Sequence, residues 1–156
     1  MAPESSTGRG ALDSRNAYTI EKNAQMLIAL MKAHGIRKVI VSPGTTNMCF
    51  AGSLQSDPYF ELYSSVDERS AAYIACGLAA ESGEPVALSC TGATASRNYM
   101  PGMTEAYYRK LPILAITSSQ HSGTIGQGRA QVTDRRNPPK DVQKRSVDIP
   151  MLRTPT

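Results

Sequence analysis

The sequence contains no tryptophan, only two phenylalanines and only three cysteines in 156 residues. Cys49, Cys76 and Cys90 are odd in number, widely spaced and never paired as C-x-x-C, which argues against a disulfide scaffold or a zinc finger. That usage fits a reduced, cytoplasmic protein. Charge is scarce as well, at 19%. Residues 1–120 carry ten Lys/Arg against ten Asp/Glu, and residues 121–156 carry seven against three, so the net +4 lies in a basic tail. A nucleic-acid binder would spread basic side chains along a face or helix, so no nucleic-acid partner is expected. No apolar run approaches a membrane span, and MAPESSTGRGALDSRNAY lacks the apolar centre of a signal peptide. Also missing are G-x-G-x-x-G, G-x-x-x-x-G-K-[ST] and G-x-S-x-G, together with any metal-ligand spacing. His34 beside Gly35 reads as a helix end, and His121 lacks a paired acid and nucleophile.

What the chain does have is a 40% hydrophobic content, enough to fill the core of one domain. Residues 1–17 read as a disordered N-terminal segment and 18–150 as the domain. Helical periodicity runs from Thr19 to His34 and stops at Gly35. Four β-rich runs follow, RKVIVSPG, FELYSSV, PVALSCTG and LPILAITSS, with helical patterns over 46–56, from Glu68 to Gly83, and over 94–109. Strands alternating with helices specify parallel βαβ units. The expected fold is α/β, a three-layer doubly wound sandwich with a mostly parallel central sheet. In such sheets ligands bind beyond the carboxyl ends of the strands. Ser42-Pro43-Gly44-Thr45-Thr46-Asn47, Asp67-Glu68, Thr91-Gly92-Ala93-Thr94 and Ser118-Ser119-Gln120-His121 all fall there, so these four stretches form one candidate rim.

The stretch SVDERSAAYIACGLA sharpens the question. An acidic pair, Asp67-Glu68, opens a helix whose following residues are almost all small or apolar, which predicts a helix buried nearly all round with a buried or half-buried acidic start. A buried carboxylate needs a partner. One reading is a helix cap stabilised by the macrodipole; the other is a functional acid facing the rim.

The order and spacing of SPG, VDERSAAYIACGLA and PVALSCTGATASRNYMPGMTEAYYRKLPILAIT resembles the N-terminal pyrimidine-binding (Pyr) domain of thiamine-diphosphate-dependent enzymes, over residues 22–150. Within that family it is most similar to the 2-succinyl-5-enolpyruvyl-6-hydroxy-3-cyclohexene-1-carboxylate synthases, with the acetolactate synthases next. The resemblance implies the thiamine-diphosphate-binding fold. It implies that Glu68 is the catalytic acid that contacts N1′ of the aminopyrimidine and so promotes loss of the thiazolium C2 proton. Pro43 and Gly44 would lie near the same ring, and Thr91, Thr94, Asn98 and Gln131 around the cofactor or substrate pocket. The implied cofactors are thiamine diphosphate and a Mg²⁺ held by a missing domain, since no GDG…NN motif occurs here, and residues 151–156 would start the linker to that domain. The implied partners are a second, diphosphate-binding domain or subunit and, by self-association, a homodimer. The implied reactions are decarboxylation of a 2-oxo acid or carboligation, with this chain supplying half of the active site. Relatives carry an arginine in the first loop, where this sequence has Thr45-Thr46-Asn47. The alternative reading is a non-catalytic, flavodoxin-like binding or regulatory module, which would need no Glu68.

Overall fold

The computed structural model describes residues 18–92, 94–135 and 137–149. The disordered segment expected over 1–17 and the linker expected over 151–156 lie outside the described residues. Four strands, β1 (Lys38–Val41), β2 (Glu61–Ser64), β3 (Val86–Thr91) and β4 (Ile113–Ser118), form one sheet in the order β2-β1-β3-β4. All three pairings are parallel, with Val39 beside Leu62 and Ala87, and Leu88 beside Ala115. Helix α1 (Lys22–Ala33) precedes β1, α2 (Met48–Gln55) joins β1 to β2, and α3 (Glu68–Ser82) joins β2 to β3. The last connection is broken into α4 (Thr94–Asn98) and α5 (Met100–Arg109).

The sheet grows from β1 in one direction through α2 and in the other through α3, α4 and α5. Right-handed crossovers therefore put these helices on opposite faces. Alternate strand residues divide accordingly. Ile40, Val86 and Leu88 pack with Ala71, Ala72, Ala75 and Ala79 of α3 and Met103 of α5. Val39, Val41 and Ala87 pack with Ile28 and Met31 of α1 and with Phe50 and Leu54 of α2. The α/β sandwich read from the sequence is the fold observed. The order reverses between β1 and β3, so the crevice of a doubly wound sheet opens at the carboxyl ends of those two strands.

Two local expectations are corrected. The single helix over 94–109 is interrupted at Tyr99, because Pro101, in the first turn of α5, lacks an N–H and its ring crowds the carbonyl four residues back. Helix α3 is not buried all round: Tyr73 and Ile74 are 49% and 43% exposed, because no described element covers that side. Tyr107 and Tyr108, 42% and 68% exposed, stand edge-to-face on each other near the end of α5.

The α3–α5 contact depends on one glycine. A Cβ on Gly102 would stand 2.5 Å from the Ala72 Cβ and 3.1 Å from the Ala72 carbonyl carbon. The helices touch here almost backbone to backbone, and the Cys76 thiol reaches the Gly102 carbonyl at 3.3 Å. Overpacking costs roughly 1–3 kcal/mol, more than the ~1 kcal/mol that alanine gains over glycine within a helix. Gly102→Ala is therefore expected to lower the thermal midpoint, and Gly102→Val to lower it further. Unchanged midpoints in both would show that the helices separate freely.

Candidate functional site

The loop after β1 is built around Asn47, whose side chain is fully buried. Its Oδ1 accepts from the Gly44 amide at 2.8 Å, and its Nδ2 donates to the Ser42 carbonyl at 3.0 Å and to Ser89 Oγ at 3.2 Å. One side chain thus ties the end of β1 to β3 and fixes Pro43-Gly44 between them. The backbone adds a bond from the Ser42 amide to the Ser89 carbonyl at 2.8 Å. With its side chain so engaged, Asn47 gives α2 no side-chain cap. Gly44 is pressed so closely on Thr91 that a Cβ would meet Thr91 Cγ2 at 2.3 Å. Thr46 Oγ1 donates to the Ser118 carbonyl at 2.8 Å, which extends the same rim to the end of β4. The buried Ser42 hydroxyl has no hydrogen-bond partner among the described residues.

The acidic pair at the start of α3 divides its work. Asp67 is the cap: its Oδ2 accepts from the Ser70 amide and the Ser70 hydroxyl, both at 2.8 Å. Those bonds, the amide's first, hold the Asp67 carboxyl below its ordinary range. Glu68 makes no such contact. It is half-buried, and its Oε2 accepts from Asn98 Nδ2 of α4 at 3.0 Å. The helix therefore has its cap without Glu68, whose carboxylate points to the residues after β3 instead.

Cys90 ends the buried part of β3, and burial pushes its thiol up to about 12, with the nearby Glu68 charge adding to the rise. It is a packed, unreactive thiol. Burial likewise raises Tyr99, whose hydroxyl shares a 2.8 Å hydrogen bond with Thr117 Oγ1. His121 caps the short 3₁₀ turn Ser122–Thr124 by accepting the Gly123 amide at Nδ1, a structural role.

Among the residues expected at the site, Pro43, Gly44 and Thr91 come together at the β1/β3 crevice, and Glu68 and Asn98 form a second pair. Thr94 opens α4, the helix that ends at Asn98. Gln131 is exposed, in a left-handed conformation (φ 60°) on the segment after β4. Two depressions border this rim. One, of about 420 Å³, is lined by Pro43, Gly44, Met48 and Gly52 among others. A larger groove of about 1660 Å³ runs along β4 and includes Tyr99, Thr117 and Gln131. Glu68 lines neither. Met48 is 65% exposed, whereas Phe50 is buried at 5% exposure. Residues two apart on a helix face opposite ways, so both cannot be open.

Sequence reading missed the organising part of Asn47. The signal was there, an asparagine three residues beyond a Pro-Gly turn, a spacing at which asparagine side chains bond nearby backbone. It also missed Arg97, whose Nη2 donates to the Asp134 carbonyl at 3.1 Å and secures the segment after β4 against α4. No described residues form a cluster able to hold a metal ion, and no described helix is long and apolar enough to cross a membrane.

Residues 21–137 match the family model described as thiamine pyrophosphate enzyme, N-terminal TPP binding domain. The chain is 39% identical over 137 residues to a 2-succinyl-5-enolpyruvyl-6-hydroxy-3-cyclohexene-1-carboxylate synthase of Bacteroides thetaiotaomicron, an alignment covering 88% of this chain and 25% of the relative. It is 42% identical over 114 residues to the synthase of the same name from Porphyromonas gingivalis, covering 73% and 20%. The chain thus spans about a quarter of the length of the curated relatives it matches. Among solved structures, benzoylformate decarboxylase from Polynucleobacter necessarius superposes with a TM-score of 0.61 at 20% identity, over 69% of this chain and 20% of that one, which supports the fold alone.

Proposed function

From the premise that this chain belongs to the thiamine pyrophosphate enzyme family as its N-terminal TPP binding domain, we propose that it forms the pyrimidine-side half of a thiamine-diphosphate site and that Glu68 is its activating acid. The observation that carries the proposal is the division of labour at α3. Asp67 caps the helix, which leaves Glu68 for Asn98 and for a second partner on the rim. A carboxylate has lone pairs enough for both. The residues present fit an aminopyrimidine ring. Gly44 lets the Pro43-Gly44 loop lie directly on Thr91, the Ser42 hydroxyl is an unmatched polar group beside that loop, and Glu68 brings a carboxyl to the same sheet edge.

When bound, thiamine diphosphate supplies the nucleophilic carbon for decarboxylating a 2-oxo acid or transferring its acyl unit. The chain's own residues bind, orient and move a proton. Glu68 exchanges a proton at its carboxyl oxygens with a ring nitrogen. Asn98 Nδ2 holds Oε2 so that the carboxyl keeps one orientation, and Pro43-Gly44 and Thr91 bound the space for the ring. Thr94 and Gln131 are proposed to stand at its margin. Mg²⁺ and the diphosphate belong to a second cofactor-binding domain, supplied by the rest of the protein or by another subunit, with the whole acting in the cytoplasm.

Binding tests this half-site directly. Titrated with thiamine diphosphate and Mg²⁺ in a calorimeter, the isolated chain is expected to bind more weakly than micromolar (about −8 kcal/mol) and to show no turnover. Sub-micromolar affinity without any partner would overturn the half-site reading.

A two-fold dimer is the second part of the proposal. The uncovered stripe of α3 includes Arg69, Tyr73, Ile74, Gly77 and Glu81, and a Cβ on Gly77 would meet nothing within 4 Å. Two α3 helices crossing antiparallel would set Arg69 of one copy against Glu81 of the other, and Tyr73 over the bare backbone of Gly77. Such a patch is self-complementary, as a two-fold contact requires. Sedimentation is expected to show a concentration-dependent dimer that Tyr73→Arg abolishes. A strict monomer at high concentration, or a dimer indifferent to Tyr73→Arg, would contradict it.

A further inference from the structure

The groove along β4 contains an arginine with two unmatched donors. Arg135 is half-buried, and its Nε and Nη1 atoms are shielded from solvent without a hydrogen-bond acceptor among the described residues. Buried N–H donors left unmatched on a charged group cost more than those on a neutral one. The surroundings do not relieve it. The Tyr99 and Thr117 hydroxyls, which line the same groove, are engaged with each other. The segment bearing Arg135 is held down by the bond from Arg97 to the Asp134 carbonyl, so the guanidinium stays where it is. Its position is also close to the proposed site: the charges of both Arg135 and Glu68 act on the buried Cys90 thiol at the end of β3. The opposite loop, Thr45-Thr46-Asn47, offers no cation.

We propose that Arg135 is a carboxylate-binding residue and receives a carboxylate of the substrate at the β4 side of the rim. A planar guanidinium matches a planar carboxylate with two parallel charge-assisted bonds. Lys110, Lys144 and Arg145 line the same groove, so inorganic phosphate is the competing anion that the test includes. The substrate assignment rests on the thiamine-diphosphate reading, whereas the anion site rests on Arg135 alone.

The test therefore uses no cofactor. In the chain labelled with ¹⁵N at arginine Nε, the Arg135 N–H signal is expected to shift saturably with succinate and with acetate, and not with succinamide. Arg135→Gln should weaken carboxylate binding roughly ten- to hundredfold, as expected for losing a charged hydrogen bond. Arg135→Lys, which keeps the charge and loses the fork, should fall between. An Arg135 signal that ignores carboxylates, that moves equally with chloride at the same ionic strength, or that responds more tightly to inorganic phosphate would overturn the proposal. The parent chain's own signal decides this even if a variant fails to fold. In the assembled enzyme, Arg135→Lys should raise KM for the 2-oxo acid while C2 exchange on the cofactor stays at the parent rate. An unchanged KM with normal exchange would remove the substrate role and leave the thiamine-diphosphate reading standing.

Discussion

Replacing Glu68 by glutamine in the assembled enzyme, this chain together with its cofactor-binding partner domain, is expected to reduce turnover by roughly 10²–10⁴-fold, the range for a lost general acid–base group. Stability should hardly change. The substitution keeps size and shape, and the oxygen that accepts from Asn98 Nδ2 can be retained. Only the exchangeable proton disappears. The neighbouring acid gives the opposite pattern. Asp67→Ala removes the acceptor for the Ser70 amide and hydroxyl, so the thermal midpoint should fall while turnover of the folded enzyme is kept. If the two variants behaved alike, the distinction between cap and acid would fail.

The second large effect is expected at Asn47. Truncation to alanine strands the buried Ser42 carbonyl and Ser89 hydroxyl and the part-buried Gly44 amide. At roughly 1–3 kcal/mol for each unsatisfied buried group, partly relieved by relaxation, Asn47→Ala should cost about 3 kcal/mol. The urea midpoint should drop with little change in slope, since the surface exposed on unfolding is the same. Thr46→Val is the comparison: its hydroxyl bond to the Ser118 carbonyl is solvent-exposed and should be worth under ~1 kcal/mol. A loss at Asn47 no greater than at Thr46 would mean that the Pro43-Gly44 loop holds its shape without the asparagine.

The strands were legible because Val39-Ile40-Val41 and Val86-Ala87-Leu88 are continuous apolar runs, as expected of strands buried on both faces. The helix ends were legible at Gly35 and Gly83, which adopt the left-handed conformation that closes a helix (φ 70° and 69°). Periodicity could not say what covers an apolar helix face. The pattern of α3 promised burial all round, yet Tyr73 and Ile74 have no partner element among the described residues. A stripe meant for another domain and one meant for the core read the same. The break at Tyr99 was available from Pro101, and was lost because the amphipathic pattern on either side stays in phase. The meeting of Pro43-Gly44 with Thr91 was legible, because both stretches stand at the ends of neighbouring strands. Asn47 and Arg135 were not, because their significance lies in contacts between segments distant in sequence. Arg135, in a basic tail, looked like one more solvated charge.

The central claim is that Glu68 exchanges the proton that makes the cofactor reactive. Hydrogen–deuterium exchange at C2 of bound thiamine diphosphate reads that step without needing the identity of the substrate. In the assembled enzyme, exchange should be slowed in Glu68→Gln and should run at the parent rate in Asp67→Asn, which keeps a capping side chain. Exchange at the parent rate in Glu68→Gln would contradict the account, even if turnover had fallen.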